Sequence, residues 1–466
     1  MPPVEEIAYL ELTQLAELVR TRQVSPVEVT EALLERIERH DPALFSYAAV
    51  WHEEALADAR DAETEIARGS YRGPLHGIPI AVKDLCYVEG RTTTAGSLLK
   101  KDFRAPYNAT AVTHLERAGA VILGSLTMTE GAYTAHHPDL PTPVNPWDAD
   151  TWTGVSSSGS GVATAAGLCF ASLGSDTGGS IRLPASANGV TGLKPTWGRV
   201  SRHGVFALAP SLDHIGPMAR SARDCAAVLS VIAGTDLDDP TSALEPVPDY
   251  LAGIRLERAP RVAVAPRAME AFDDETRALI AGVAATLRGM GWTVTEIELP
   301  DLAAVSDAFA PLCAVECAAV HADTYPARAD VYGPDLSEFI DFGRSLTAVE
   351  YERHLGTRRA FTGRLRRVFR DVDLLLMPGV GFASPTVERL KSVGVDQELL
   401  AALLLPTAPF DLAGNPTITL PGGFTDRGTP LGFQFVGPDF SEQLLFQAAN
   451  AYQEHTDFHL RHPSLV

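Results

Sequence analysis

Cysteine is scarce in this sequence, and what there is does not pair off. Cys86, Cys169, Cys225, Cys313 and Cys317 are an odd five in 466 residues, which argues against a disulfide framework. Long apolar runs are missing too. No stretch approaches the roughly 18 consecutive apolar residues of a membrane-spanning helix, so none is expected. The opening MPPVEEIAYLEL lacks the basic and apolar regions of a secretory signal. Positive charge is in short supply: 38 Lys and Arg face 59 Asp and Glu, a net charge of −21. A nucleic-acid binder needs a positive surface field, and attachment to anionic lipid needs a basic anchor. Neither nucleic acid nor membrane is therefore expected as a partner, and the cytoplasm is the default location. Two catalytic signatures are also absent: there is no GxxxxGK[ST] phosphate loop and no GxSxG nucleophile elbow.

What is present reads as a globular enzyme, with 45% apolar and 21% charged residues. Residues 1–70 are predicted to be helical. In SPVEVTEALLERIERHDPALF, Ser25 suits an N-cap, Pro26 the first helical position and Glu28 the reciprocal cap. A second helix is expected from about Trp51 to Arg68. Ile78–Val82 then reads as a short strand ending at Lys83, and Val121–Leu123 as another. Strands are also expected in RVAVAP (261–266) and DVDLLLMP (371–378), and a hairpin around Asp426-Arg427-Gly428. Alternating helices and strands predict an α/β architecture. No repeat or linker divides the chain, so 1–466 reads as one domain, with a core over 75–235 and a helical segment, 300–370, covering the substrate pocket.

The chemistry concentrates in GVSSSGSGVATAAGLCFASLGSDTGGSIRLPASANGVTG (154–192). Its apolar run AGLCFASLG rules out a flexible linker. The tight glycine turn Thr177-Gly178-Gly179-Ser180 can aim several backbone N–H groups at one anion. With no phosphate-loop spacing, an oxyanion hole beside its own nucleophile, Ser180, is the better reading. A serine hydroxyl needs a base. Lys83, at the end of GIPIAV, is the candidate if burial keeps it neutral; a surface lysine paired with Asp84 is the competing reading.

Together these segments resemble the amidase signature family. The stretch 154–185 is similar to its glycine- and serine-rich signature, and GIPIAVKD (77–84) to its lysine motif. The similarity continues through GVTGLKPTWGRVSRHGV and LDHIGPMARSARD, and more weakly PFDLAGNPTITLPGGF. The resemblance implies Ser180 as nucleophile, Ser156 as a bridging serine after a cis peptide bond, and Lys83 as base. It further implies Ser157 as a support for the lysine, and Thr177, Gly178, Gly179 and Ser180 as the oxyanion hole. Position 155 is Val where many relatives carry Gly or Ala. The implied fold is one α/β domain, a large twisted mixed β-sheet sandwiched between helical layers. The implied reaction is hydrolysis of linear amides through an acyl-enzyme, with neither metal nor organic cofactor, and aryl amides, carbamates (urethanes) and esters among the candidate substrates. The partner is then a small-molecule amide, and a homodimer is an allowed assembly.

Two other readings stay open. One is the glutamine-hydrolysing A subunit of a tRNA-dependent amidotransferase, which SDTGGSIR and KPTWGRVSR resemble, although MTEGAYTAHHPD departs from that subunit's loop. The other is a catalytically inert homologue. Met128, Thr129, Tyr133 and His136 are candidates to line the substrate entrance, with His137 beside them. Cys313, Cys317 and His321 fall on one helical stripe; a buried face is the expected role rather than a metal site. Ser97-Leu98-Leu99-Lys100 matches SxxK, but no SDN or KTG follows it.

Overall fold

Ser25 caps the first long helix as its sequence predicts. Its Oγ accepts from Val27 N and Glu28 N, Glu28 reaches back to Ser25 N, and the helix Pro26–Leu44 buries Val29, Leu33, Leu34 and Ile37. The computed structural model, which describes residues 4–390 and 397–465, then departs from an all-helical N-terminus. Phe45 adopts a left-handed conformation (φ 51°), and a strand, β1 (Tyr47–Val50), follows directly. YAAV carries little strand signal of its own. Pairing with a neighbour at the sheet edge decides its state. The next helix, His52–Ala67, lies where expected.

Ten more strands follow: β2 (Pro79–Lys83), β3 (Val121–Leu126), β4 (Ala171–Asp176), β5 (Thr191–Lys194), β6 (His214–Ala219), β7 (Arg261–Val264), β8 (Thr293–Glu296), β9 (Leu374–Pro378), β10 (Thr417–Phe424) and β11 (Pro430–Val436). Among the described residues they form one mixed sheet in the order β1-β3-β2-β4-β6-β5-β10-β11-β9-β7-β8. Helices flank it, and the chain is a single α/β domain. The expected core of 75–235 supplies β2 to β6 only; the sheet is continued by β10 and β11, the hairpin from the far end of the chain, with β10 antiparallel to β5.

Two features position the site. First, β2 pairs in parallel with β4, Val82 opposite Leu173, so both strands end at the same edge. Ligand sites in such sheets lie beyond the carboxyl ends of the strands. Second, the connection from β3 to β4 runs through the helix Ser158–Ala165, which is buried along its whole length. Its Gly159 lies against backbone: a Cβ there would sit 2.4 Å from Ser46 O and 2.5 Å from Thr127 O. Small residues over this stretch thus let the helix lie flat on the chain beneath it.

Residues 300–370 are largely helical: Leu302–Ser306, Phe309–Val320, Pro334–Ser345 and Ala348–Val368. No run of 18 consecutive apolar residues occurs among them, but the stretch Leu302–Val320 is, by length and mean composition alone, apolar enough to cross a membrane. In the fold it is two helices, and Phe309, Leu312, Cys313 and Cys317 are buried in the protein core.

Candidate active site

Lys83 ends β2 with its side chain fully buried. The competing picture of a surface lysine on Asp84 does not hold. Instead Nζ lies within hydrogen-bond distance of three serine hydroxyls: Ser156 Oγ at 2.7 Å, Ser175 Oγ at 2.8 Å and Ser157 Oγ at 2.9 Å. Among the described residues no carboxylate makes an ion pair with it. Burial pushes the lysine down to about 7, only partly offset by Cys86, Asp176 and Asp213 at longer range.

The protons in this cluster can be assigned. Ser157 Oγ accepts from Ser175 N and donates to Ser175 O, both at 3.2 Å. Its hydroxyl proton is thereby committed, and towards Lys83 it can only accept. A neutral lysine has two N–H donors and one lone pair. One donor goes to Ser157; the other, and the lone pair, are left for Ser156 and Ser175, whose hydroxyls have no other partner among the described residues, so Ser156 can donate to the amine. The Val155–Ser156 peptide is cis, and Ser156 O accepts from Thr129 N at 3.2 Å.

Ser180 sits beyond the end of β4, half-buried, and its Oγ makes no hydrogen bond among the described residues. Its segment is docked to the lysine cluster through the backbone: Ser157 N donates to Ser180 O at 3.3 Å. The turn before it is held by Asp176, whose carboxylate accepts from Gly179 N at 2.7 Å, Ile181 N at 2.9 Å and Arg182 N at 3.3 Å. Arg182 grips the same carboxylate through Nε and a terminal nitrogen, at 3.0 and 2.8 Å, and also contacts Asp411. Burial alone would raise the Asp176 carboxyl, but the Arg182 guanidinium outweighs it and holds the group below the usual carboxylate range. Burial and the neighbouring Asp176 push Asp411 the other way, well above its ordinary value.

Of the four N–H groups expected to form an oxyanion hole, that of Gly179 is thus engaged by Asp176. Those of Thr177, Gly178 and Ser180 donate to no protein atom among the described residues. Thr177 is pinned by its hydroxyl, which donates to Asp213 Oδ1 at 2.7 Å. Gly178 O accepts from Thr407 Oγ1 at 2.7 Å. A Cβ on Gly178 would sit 2.4 Å from Phe309 Cζ, so the apolar helix lies directly over the turn.

The entrance candidates scatter. Thr129 is buried, its hydroxyl on Tyr133 O at 2.5 Å. Tyr133 stacks on Phe339 with ring centroids 4.0 Å apart. His136 Nε2 lies 2.9 Å from Ser158 Oγ, one residue past Ser157; burial pushes this imidazole down to about 4, with Lys83 adding to the effect. Met128 lines a separate cavity whose walls include neither Ser156 nor Ser180. Cys313, Cys317 and His321 are buried. Among the described residues no group of three or more His, Cys, Asp or Glu is placed to hold a metal. Ser175, Asp176, Arg182 and Asp213 were not anticipated. For Asp176 and Arg182 the signal was present: GSDTGGSIR puts an acid before a glycine turn and an arginine after it, inside a segment too apolar to leave either unpaired.

The Amidase family model matches residues 28–446. AmiD of Mycobacterium tuberculosis, an amidase by name, is 58% identical over 98% of this chain and 97% of its own. The A subunit of the glutamyl-tRNA(Gln) amidotransferase from Moorella thermoacetica is 37% identical, with 99% of each chain covered. Among solved structures, 6-aminohexanoate cyclic dimer hydrolase complexed with substrate superposes with a TM-score of 0.89 at 28% identity, covering 98% of this chain and 99% of that one.

Proposed function

Because this chain belongs to the amidase family, and is an amidase, we propose that it cleaves linear amides through an acyl-enzyme built on Ser180, with Ser156 as relay and Lys83 as base. The observation that carries the reading is a fully buried lysine held by three hydroxyls, with no ion-pair partner among the described residues and a proton affinity brought down to about 7. Such a lysine is substantially neutral at physiological pH, and its lone pair can take the proton of Ser156.

The steps follow from the hydrogen-bond inventory. Ser180 Oγ donates to Ser156 Oγ in the substrate complex; catalytic hydrogen bonds commonly tighten only when substrate arrives. Lys83 takes the Ser156 proton as Ser156 takes that of Ser180, and the Ser180 oxygen attacks the carbonyl carbon. The N–H groups of Thr177, Gly178 and Ser180 face the oxyanion that forms. An amide anion is a very poor leaving group, so the proton returns through Ser156 to the departing nitrogen. Water then hydrolyses the Ser180 ester by the same route.

The substrates we propose are uncharged acyl and aryl amides, with carbamates and esters as further candidates, turned over by the free-standing cytoplasmic enzyme. The 37% identity to an amidotransferase A subunit over nearly the whole chain supports a second reading, glutamine hydrolysis in a complex. The 58% identity to AmiD favours the first. A panel of purified-enzyme assays decides between them: simple anilides and aliphatic amides turn over without a partner in the first case. Glutamine alone, hydrolysed weakly until a partner is added, would establish the second. Fluorophosphonate labelling tests the centre itself; an enzyme left unlabelled at Ser180 would point to an inert homologue.

A further inference from the structure

Against the segment 127–129, which bonds to the catalytic chain, lies a cavity of about 430 Å³ whose walls include neither Ser156 nor Ser180. That volume suits a small organic molecule. It opens between the C-terminal half of the helix Pro26–Leu44, β1 and the loop 94–101. The partition is the segment 127–129. One side of it bonds to the catalytic chain, through Thr129 N to Ser156 O and Gly159 N to Thr127 O; Thr127 and Met128 line the cavity.

The walls are mostly apolar, and Ile37, Phe45, Val50, Leu98 and Met128 contribute to them. Against this background stands Asp84, which is 2% exposed and lines the cavity. Its Oδ2 accepts from Thr94 N at 3.1 Å and from the Thr94 hydroxyl, and Ser125 and Gly96 N also stabilise its charged form, but among the described residues no basic side chain makes an ion pair with it. Burial pushes its carboxyl up to about 6. A buried carboxylate without a counter-ion is costly. Two more carboxyls line the same space. Asp41 has no ion pair among the described residues either, its oxygens taken by Ser46 and by Tyr47 N; Glu38 is exposed and faces His52 at 3.0 Å. The basic lining groups are His52 and Lys101, both at the exposed rim. The cavity floor therefore offers a carboxylate and apolar contact, with no buried positive charge among its lining residues.

We propose that this cavity is a second ligand site, separate from the catalytic one, for an organic ammonium ion with an alkyl or aryl body. The ammonium group would supply the counter-ion that Asp84 lacks, through a charge-assisted hydrogen bond. Its hydrocarbon body would replace water along Phe45, Leu98 and Met128. An anion is disfavoured by three carboxyls, and a neutral alcohol leaves Asp84 without a counter-ion. The proposal rests on the cavity's own chemistry and does not depend on which amide is cleaved.

Isothermal titration at pH 7.5 with hexylamine hydrochloride, hexan-1-ol and sodium hexanoate tests it. Hexylamine is expected to bind one equivalent, with the other two at least about tenfold weaker, the step that 1.4 kcal/mol of charge-specific binding produces. Leu98→Trp fills the space and should abolish hexylamine binding while amide turnover and the circular dichroism spectrum stay at wild-type levels. Glu38→Gln, at the exposed rim, should weaken hexylamine about threefold, as removal of one screened charge does. Equal binding of hexan-1-ol and hexylamine overturns the assignment. So does hexylamine binding that survives in folded Leu98→Trp, or amide turnover lost together with it.

Discussion

Two lysines close two short strands of this sheet, Lys83 on β2 and Lys194 on β5, and both are fully buried. Burial lowers both, to about 7 and about 8. Their partners differ. Lys194 Nζ meets Asn415 O at 2.5 Å, Pro195 O at 3.2 Å and His214 Nε2 at 3.2 Å. The two carbonyl oxygens can only accept. His214 Nδ1 lies 3.1 Å from Asp176 O, which fixes its proton there and makes Nε2 an acceptor as well. Three acceptors demand three N–H bonds, so Lys194 is held as an ammonium ion. Lys83 meets three hydroxyls instead, and one of them, Ser156, is free to donate. Desolvation alone does not make a base: the partner must also have a proton to give.

The contrast can be broken from either side. Lys83→Ala should cost at least about a thousandfold in kcat for amide hydrolysis, the scale of a lost general base, with the circular dichroism spectrum preserved; unchanged turnover would remove this lysine from the reaction. Ser157→Ala takes away one acceptor that the ammonium form uses more strongly than the amine. Turnover should fall by about ten- to a hundredfold, and the pH–rate midpoint should move to lower pH. A midpoint moving upward would contradict the proton assignment at Ser157. In the wild type the reactive form is the unprotonated lysine, so kcat/KM should rise with pH and level off above about 7. Each unit below the midpoint should cost about tenfold; a rate that falls as pH rises through 7 would reverse the assignment. Lys194→Met should move turnover least, by under about tenfold per folded molecule. It should instead lower the unfolding free energy by about 3 kcal/mol, measured in urea, because a buried charged network loses a member. Loss of turnover matching that of Lys83→Ala, in a protein still folded, would erase the difference between the two sites.

The sequence made much of this legible, unevenly. The helix at Pro26 declared itself through its cap, and the lysine, two serines and glycine turn through spacing and resemblance. β1 stayed hidden because YAAV has neither turn residues nor alternation, and its partner lies some 75 positions on, at Ser125 and Leu126. Ser175 was missed for a related reason. It reaches Lys83 only because β2 and β4 are neighbours, and strand adjacency is not a local property of the chain. Met128 looked like a wall of the active site from its position in sequence, yet it lines a cavity whose walls include neither Ser156 nor Ser180, and which way a residue between two such spaces turns is not a local property of the chain.

The ring of Phe309 resting on Gly178 has a bearing on protein engineering. Nothing larger than hydrogen fits between the turn and the helix above it, so roof and floor of this centre are a matched pair. A chimera that imports the nucleophile turn from a distant homologue without its covering helix would arrive with either a clash or a void. Exchange of specificity between members of this group is therefore better attempted by transplanting residues 177–180 and 309–320 as one unit.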